Sequence, residues 1–199
     1  MKKLVLLVLV ISLIGLISCG KKTDETKTTD DKKTEQKVTG KVNPEDYFKA
    51  VKDNEIAKVK DYLSKYPTLV KAVTSDFLKE TALAISSFNG KKEIAEMLLQ
   101  KGADPNVYDD MGIAPIIGAA RQNQSEIIEM LIKNKANVNI SSKNGEETAL
   151  HYAAEYNSGD AAKILLANGA DKNAKNSSGK TPLDVAKEKK SDKVIDLLK

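Results

Sequence analysis

The sequence predicts an all-α repeat solenoid, a stack of helix–turn–helix units, and three observations carry the prediction. Short apolar segments TALAIS, APIIGAA, TALHYAA and TPLDVA start at Thr81, Ala114, Thr148 and Thr181, so the starts are 33, 34 and 33 residues apart. A second landmark keeps the same beat, with KGADPN from Lys101, NKANVN from Asn134 and NGADKN from Asn168. A longer apolar helical pattern follows each short one: EIAEMLLQ, EIIEMLIK, DAAKILLA and DKVIDLLK. A fixed period near 33 is the mark of an array whose units bury their apolar faces only by stacking.

Taken in order, the chain begins with MKKLVLLVLVISLIGLISC. Lys2 and Lys3 form a positive n-region, and Leu4 to Ile17 is an apolar run of 14 residues, secretory in length and too short to span a bilayer. Leu16-Ile17-Ser18-Cys19 resembles the lipobox of bacterial lipoproteins, which implies a signal peptide over residues 1–18 and lipid on the sulfur and amine of Cys19. Cys19 is the only cysteine, so no disulfide framework competes for it. Residues 19–43 then read as the lipidated cysteine and a disordered tether, because GKKTDETKTTDDKKTEQKVTGKV lacks the apolar content to fold.

The repeat domain is expected over residues 44–199. Asn43-Pro44-Glu45-Asp46 gives a cap residue, a proline at the first helical position and acids in the first turn. Phe48, Val51, Ile56, Val59 and Leu63 supply the apolar faces of an N-terminal helical cap, which Pro67 ends. In the repeats, Thr81, Thr148 and Thr181 are placed to cap the short helices, and Pro115 and Pro182 to open them. Gly102 and Gly169 fall where the longer helix must end in a left-handed residue. Leu83, Ile85, Leu98, Ile116, Ile128, Leu131, Leu150, Leu165, Leu183 and Leu197 are the expected core. At the far end, KEKKSDK gives a terminal repeat its polar face.

These units resemble the ankyrin repeat family, whose repeat runs D-x-x-G-x-T-P-L-H-x-A-A, a helix ending in L-L, then G-A-D-x-N. The resemblance implies four repeats with short hairpin-like turn tips, behind the N-terminal cap. It also marks departures. Lys79 stands at the turn glycine and Lys135 at the helix-ending glycine, so both are expected to be strained. The family's histidine survives only as His151. Repeat three carries one extra residue, assigned to Glu146 or Glu147.

The sequence offers little to an enzyme. Gly179-Lys180-Thr181 ends like a phosphate-binding loop, but Ala174 replaces the required glycine and no strand feeds the turn. With one histidine and one cysteine there is no Cys–His or Ser–His pair and no zinc spacing. Charged residues make up 30% of the chain, both signs interspersed, with net charge +4 and one arginine. A nucleic-acid interface would gather basic residues with aromatics. No catalytic residue, metal ligand, cofactor, nucleic acid or small-molecule substrate is therefore expected.

What the resemblance implies is a protein partner, gripped by turn tips and the inner faces of the short helices. Carried over by position, the candidates are Phe77, Leu78, Asp110, Met111 and Ile113 on the tips, with Phe88, Arg121, Gln122, Glu155 and Tyr156 on the helices. Other tip positions are Glu80, Lys143, Asn144, Glu147, Ser177, Ser178 and Lys180. Aromatic, Met and Arg anchors are what interface centres favour. The expected function is a non-catalytic binding scaffold, lipid-anchored at the bacterial cell envelope on the periplasmic face or cell surface. Its partner would be an envelope protein, a toxin to be neutralised or a host protein. The alternative is an accessory subunit of a periplasmic enzyme, such as an oxidative-stress haem enzyme.

Overall fold

A computed structural model describes residues 43–199; the expectations for the signal peptide, Cys19 and the tether up to residue 42 lie outside the described residues. Ten α-helices follow one another in pairs among the described residues. The cap pair is α1 (Pro44–Lys52) and α2 (Ile56–Lys65), closed by a 3-10 turn at Pro67–Lys71. The repeat pairs are α3 (Ala82–Phe88) with α4 (Lys92–Gln100), and α5 (Pro115–Arg121) with α6 (Ser125–Lys133). They continue as α7 (Ala149–Glu155) with α8 (Gly159–Ala167), and α9 (Pro182–Lys189) with α10 (Asp192–Leu198). The odd-numbered helices pack in one row and the even-numbered ones in a second, each pair against the next. This is the predicted helical solenoid.

Helices of seven to ten residues are too short to persist alone, so the array is held by what passes between repeats. A continuous core runs from Tyr47 and Phe48 through Leu83, Leu98, Ile116, Leu131, Leu150 and Leu165 to Val194 and Leu198. Two core expectations need correction. Leu183 is only partly buried, and Leu197 is 38% exposed while Leu198 beside it is buried. Counted from the residue before each longer helix (Lys91, Gln124, Ser158 and Ser191), Leu198 and not Leu197 occupies the buried register of Leu98, Leu131 and Leu165; Leu197 falls with Met97, Met130 and Ile164, which are only partly buried.

Polar side chains also reach from one repeat to the next. Asn106 donates from Nδ2 to the Lys135 carbonyl (3.1 Å) and accepts the Asn137 N–H at Oδ1 (2.8 Å). Asn139 repeats both bonds with the Gly169 carbonyl and the Asp171 N–H. These are the closing asparagines of the G-A-D-x-N landmark, and a fixed period is what lets each meet the next helix end. Asn123 and Asn157 lie between paired helices at φ 54. Their Oδ1 atoms accept the Ala161 and Lys193 N–H groups, capping α8 and α10 from the preceding repeat. Neither helix has a side-chain cap of its own.

The expected backbone strain is present. Lys135 has φ 69 and Lys79 φ 44, both left-handed. Lys135→Gly is expected to raise the urea-unfolding free energy of the full-length protein by about 0.5–1 kcal/mol, since a Cβ is held there at positive φ; no gain would show that Lys135 is already relaxed. The inserted residue of repeat three, by contrast, is neither Glu146 nor Glu147. Glu146 itself takes the left-handed turn position (φ 53) that Gly112 and Gly179 hold at φ 73 and 72. Its N–H donates to the Ser142 carbonyl four residues back, where Gly112 and Gly179 donate to Asp109 and Asn176, three back. The extra residue therefore widens the tip at 143–145.

Candidate functional site

The tips are folded by their own polar residues. Asp109 accepts the Ile113 N–H at Oδ1 (2.8 Å), Thr74 Oγ1 accepts the Glu80 N–H (3.0 Å), and Ser142 Oγ accepts the Glu147 N–H (3.2 Å). Successive tips are then joined by single backbone bonds: Asp110 N–H to the Leu78 carbonyl, Lys143 N–H to Gly112, and Ser177 N–H to Gly145. Asn144 donates to the Met111 carbonyl (2.9 Å), and Lys79 pairs with Asp110 at 3.1 Å. The result is a ledge of tips facing the row of odd-numbered helices.

Between ledge and helices lies a groove of about 450 Å³ across repeats one to three. Tip residues Leu78, Met111 and Ile113 line one side, with Phe88 of α3 and Ile117 and Arg121 of α5 on the other. Gly118 at mid-α5 opens the floor: where α7 carries Tyr152, α5 carries no side chain, and Phe88 lies 3.6 Å from where a Cβ would stand. Glu80, Asp109 and Glu147 bring carboxylates to the same space. Burial pushes the Glu80 carboxyl up from its usual value, Lys52 opposes the rise, and Asp76 and Asp109 add smaller increments to it. Burial likewise raises the Tyr152 hydroxyl, helped by Glu147.

Among the described residues Arg121 is stacked rather than ion-paired. Its guanidinium carbon lies 4.7 Å from the Tyr156 ring centroid and 5.6 Å from that of Phe88. Each contact contributes about 0.5–1 kcal/mol where exposed. The fork of N–H donors is thus held in place, and among the described residues it makes no hydrogen bond that would compete with a ligand.

Of the ten candidates, Leu78, Phe88, Met111, Ile113 and Arg121 line this groove, and Tyr156 flanks it through Arg121. Phe77 stands at the apex of tip one, 78% exposed. Asp110 is engaged by Lys79, Glu155 pairs with Lys189 at 3.0 Å over the next repeat boundary, and Gln122 is exposed at the end of α5. Asp109, Ile117, Gly118, Ser142, Gly145 and Tyr152 are groove residues that the sequence did not point to. Gly118 had a signal, because a glycine inside a helix costs about 1 kcal/mol and calls for a reason.

The remaining chemical candidates have structural jobs. His151 is buried; its Nδ1 accepts the Thr148 N–H (3.2 Å), so Nε2 carries the proton and donates to the Lys180 carbonyl (3.0 Å). In the loop-like triplet, Thr181 Oγ1 accepts the Asp184 N–H and Lys180 Nζ pairs with Glu188. Those assignments leave the triplet as a turn and a helix cap. Among the described residues no cluster of three or more His, Cys, Asp or Glu is placed to hold a metal, and no helix is long and apolar enough to cross a membrane.

Comparison with known proteins agrees with this architecture. Residues 116–199 match a family model described as ankyrin repeats (3 copies), and residues 79–110 match the model of the ankyrin repeat, together more than half of the chain. The chain is similar to alpha-latrotoxin-Lg1a of Latrodectus geometricus, 32% identical over 120 residues, 59% of this chain and 9% of that one. It is similar to alpha-latroinsectotoxin-Lt1a of Latrodectus tredecimguttatus, 40% identical over 115 residues, 57% of this chain and 8% of the toxin. The B-cell lymphoma 3 protein homolog of Mus musculus is 35% identical over 120 residues, 60% of this chain and 26% of that protein. The chain thus spans about a quarter or less of each of these relatives.

Proposed function

The chain belongs to the ankyrin repeat family, and from that premise we propose that it is a membrane-anchored, non-catalytic scaffold that holds a protein partner in the groove of repeats one to three. Ankyrin repeats are protein-interaction modules, which supports the scaffold. The observation that carries the reading is the groove itself. A floor opened by Gly118 and walled by apolar side chains, with Arg121 pre-stacked beside it, has the aromatic and arginine make-up of an interface centre. The partner is an envelope protein, a secreted toxin or a host protein, met outside the cytoplasm.

The test is capture with the full-length protein, followed by calorimetry on the recovered partner. Met111→Ala with Arg121→Ala is expected to weaken binding by about 2 kcal/mol, roughly 30-fold, while changing unfolding stability by under about 1 kcal/mol. Met111 is 49% exposed, and Arg121 stacks from the surface. Unchanged affinity moves the interface elsewhere; an equal fall in stability makes these side chains core.

The anchor rests on Cys19 at the end of the Leu16-Ile17-Ser18-Cys19 motif. Two or more acyl chains give stable anchoring at about 0.8 kcal/mol per buried methylene. Cys19→Ala is therefore expected to shift the protein from the salt-washed membrane fraction to the soluble or unprocessed pool. Retention on the membrane after that wash would end the lipoprotein reading.

A further inference from the structure

The groove differs in charge from the surface around it. Three surface carboxylates beside it have cationic partners: Asp110 with Lys79, Glu155 with Lys189, and Glu188 with Lys180. Glu80, Asp109 and Glu147 line the groove, and among the described residues none of the three forms an ion pair with Lys or Arg. Arg121, the one cation in the lining, is turned onto Phe88 and Tyr156. The groove is thus net acidic in a chain whose formal charge is +4.

The acids also follow a pattern along the array. The residue before each short helix's cap position is Glu80, Ile113, Glu147 and Lys180 in successive repeats. Lys180 is already closed by Glu188, so the groove itself presents acid, aliphatic, acid. Neighbouring helices pack about 8–10 Å apart, which puts the Glu80 and Glu147 backbone positions about 16–20 Å from each other. An extended chain covers that distance in about five or six residues. Between them, Met111, Ile113 and Ile117 leave room for aliphatic side chains.

Resting on the groove-docking reading above, we propose that the occupant is an extended segment of a protein partner, with two Lys or Arg residues about five or six positions apart and aliphatic side chains between them. The cations sit on Glu80 and Glu147, and the aliphatic side chains enter over Ile113. A seated cation restores to the half-buried Glu80 the charge stabilisation that burial removes. The acidic lining also steers such a segment in, so binding weakens with salt.

The test uses the full-length protein and a fluorescein-labelled nonapeptide with two lysines about six positions apart and leucines between them. Counterparts replace the lysines by glutamate or the leucines by serine. Both replacements are expected to weaken binding by at least about tenfold, and so is the protein variant Glu80→Gln with Glu147→Gln. Glutamine keeps the Asn176 hydrogen bond to Glu147 within reach, and circular dichroism confirms that the variant is folded. Equal binding of lysine and glutamate peptides, indifference to the double variant, or no binding of the lysine peptide at millimolar concentration overturns the proposal. The competing occupant is the chain's own lysine-rich stretch at 20–42; if deleting it tightens peptide binding about tenfold, the groove belongs to that stretch and the proposal falls. A captured partner that responds to the Met111 and Arg121 substitutions but not to the glutamine pair would retain the groove and discard its cationic ligand.

Discussion

His151→Ala is expected to lower the unfolding free energy by about 3–4 kcal/mol, as much as truncating a buried core leucine. The side chain is 1% exposed and joins two repeats. Its Nδ1 takes the Thr148 N–H at the head of α7, and its Nε2 donates to the Lys180 carbonyl in the next tip. Removing it leaves the buried Thr148 N–H without a partner, about 1–3 kcal/mol, takes from the Lys180 carbonyl one of its two bonds (the Asn176 N–H keeps the other), and opens a cavity besides. Repeat four shows how the bond can be split. There Asp184 takes the Thr181 N–H at 3.0 Å, a box without the second bond to a neighbour. His151→Asn, able to accept from Thr148 but too short for Lys180, is expected to recover about half of the loss. Paired urea titrations decide: a full loss in both variants assigns the energy to the Lys180 bond, and no loss in either would remove the imidazole from the framework.

The array was legible in the sequence because its landmarks are backbone requirements repeated four times. Thr81 and Thr181 at helix heads and Gly102 and Gly169 at helix ends each carry their reason locally. What joins the repeats was not legible. Asn106, Asn139, Asn123 and Asn157 look like turn residues in one dimension, yet their side chains cap and brace the next repeat about thirty or more residues on. Leu197 was misplaced because the adjacent leucines at 197 and 198 leave the register ambiguous by one residue, and it is Leu198 that falls with the buried Leu98, Leu131 and Leu165. Five of the fourteen residues lining the groove were visible as apolar or basic residues at positions free to be polar: Leu78, Phe88, Met111, Ile113 and Arg121. The acidity of the groove was not: Glu80 and Glu147 were placed on the tips, but with Asp109 they resemble any solvated charge until the fold shows that their cationic neighbours pair elsewhere.

Gly112→Ala is expected to cost about 2–3 kcal/mol and to damage the groove with the fold. Two separate penalties meet at this position. The backbone sits at φ 73, where an L side chain is strained by about 1 kcal/mol or more. A Cβ there would also stand 2.6 Å from the Lys143 Cβ and 2.9 Å from its backbone nitrogen, in the next tip. That nitrogen donates to the Gly112 carbonyl at 3.0 Å, so relieving the clash means parting tips two and three and giving up their joining bond. Gly179 provides the control. It has nearly the same φ, 72, with nothing within 4 Å of its Cβ position. Gly179→Ala should therefore show the conformational strain alone, about 1 kcal/mol, and the difference between the variants measures the contact between tips. Met111 and Ile113 flank Gly112 and both line the groove, so displacing tip two moves the apolar wall against Arg121. Partner affinity should fall in Gly112→Ala even at urea concentrations where the protein remains folded, and stay near wild type in Gly179→Ala. Equal stability losses in the two variants would mean that tips two and three yield without resistance, and the groove would then be softer than its hydrogen bonds imply.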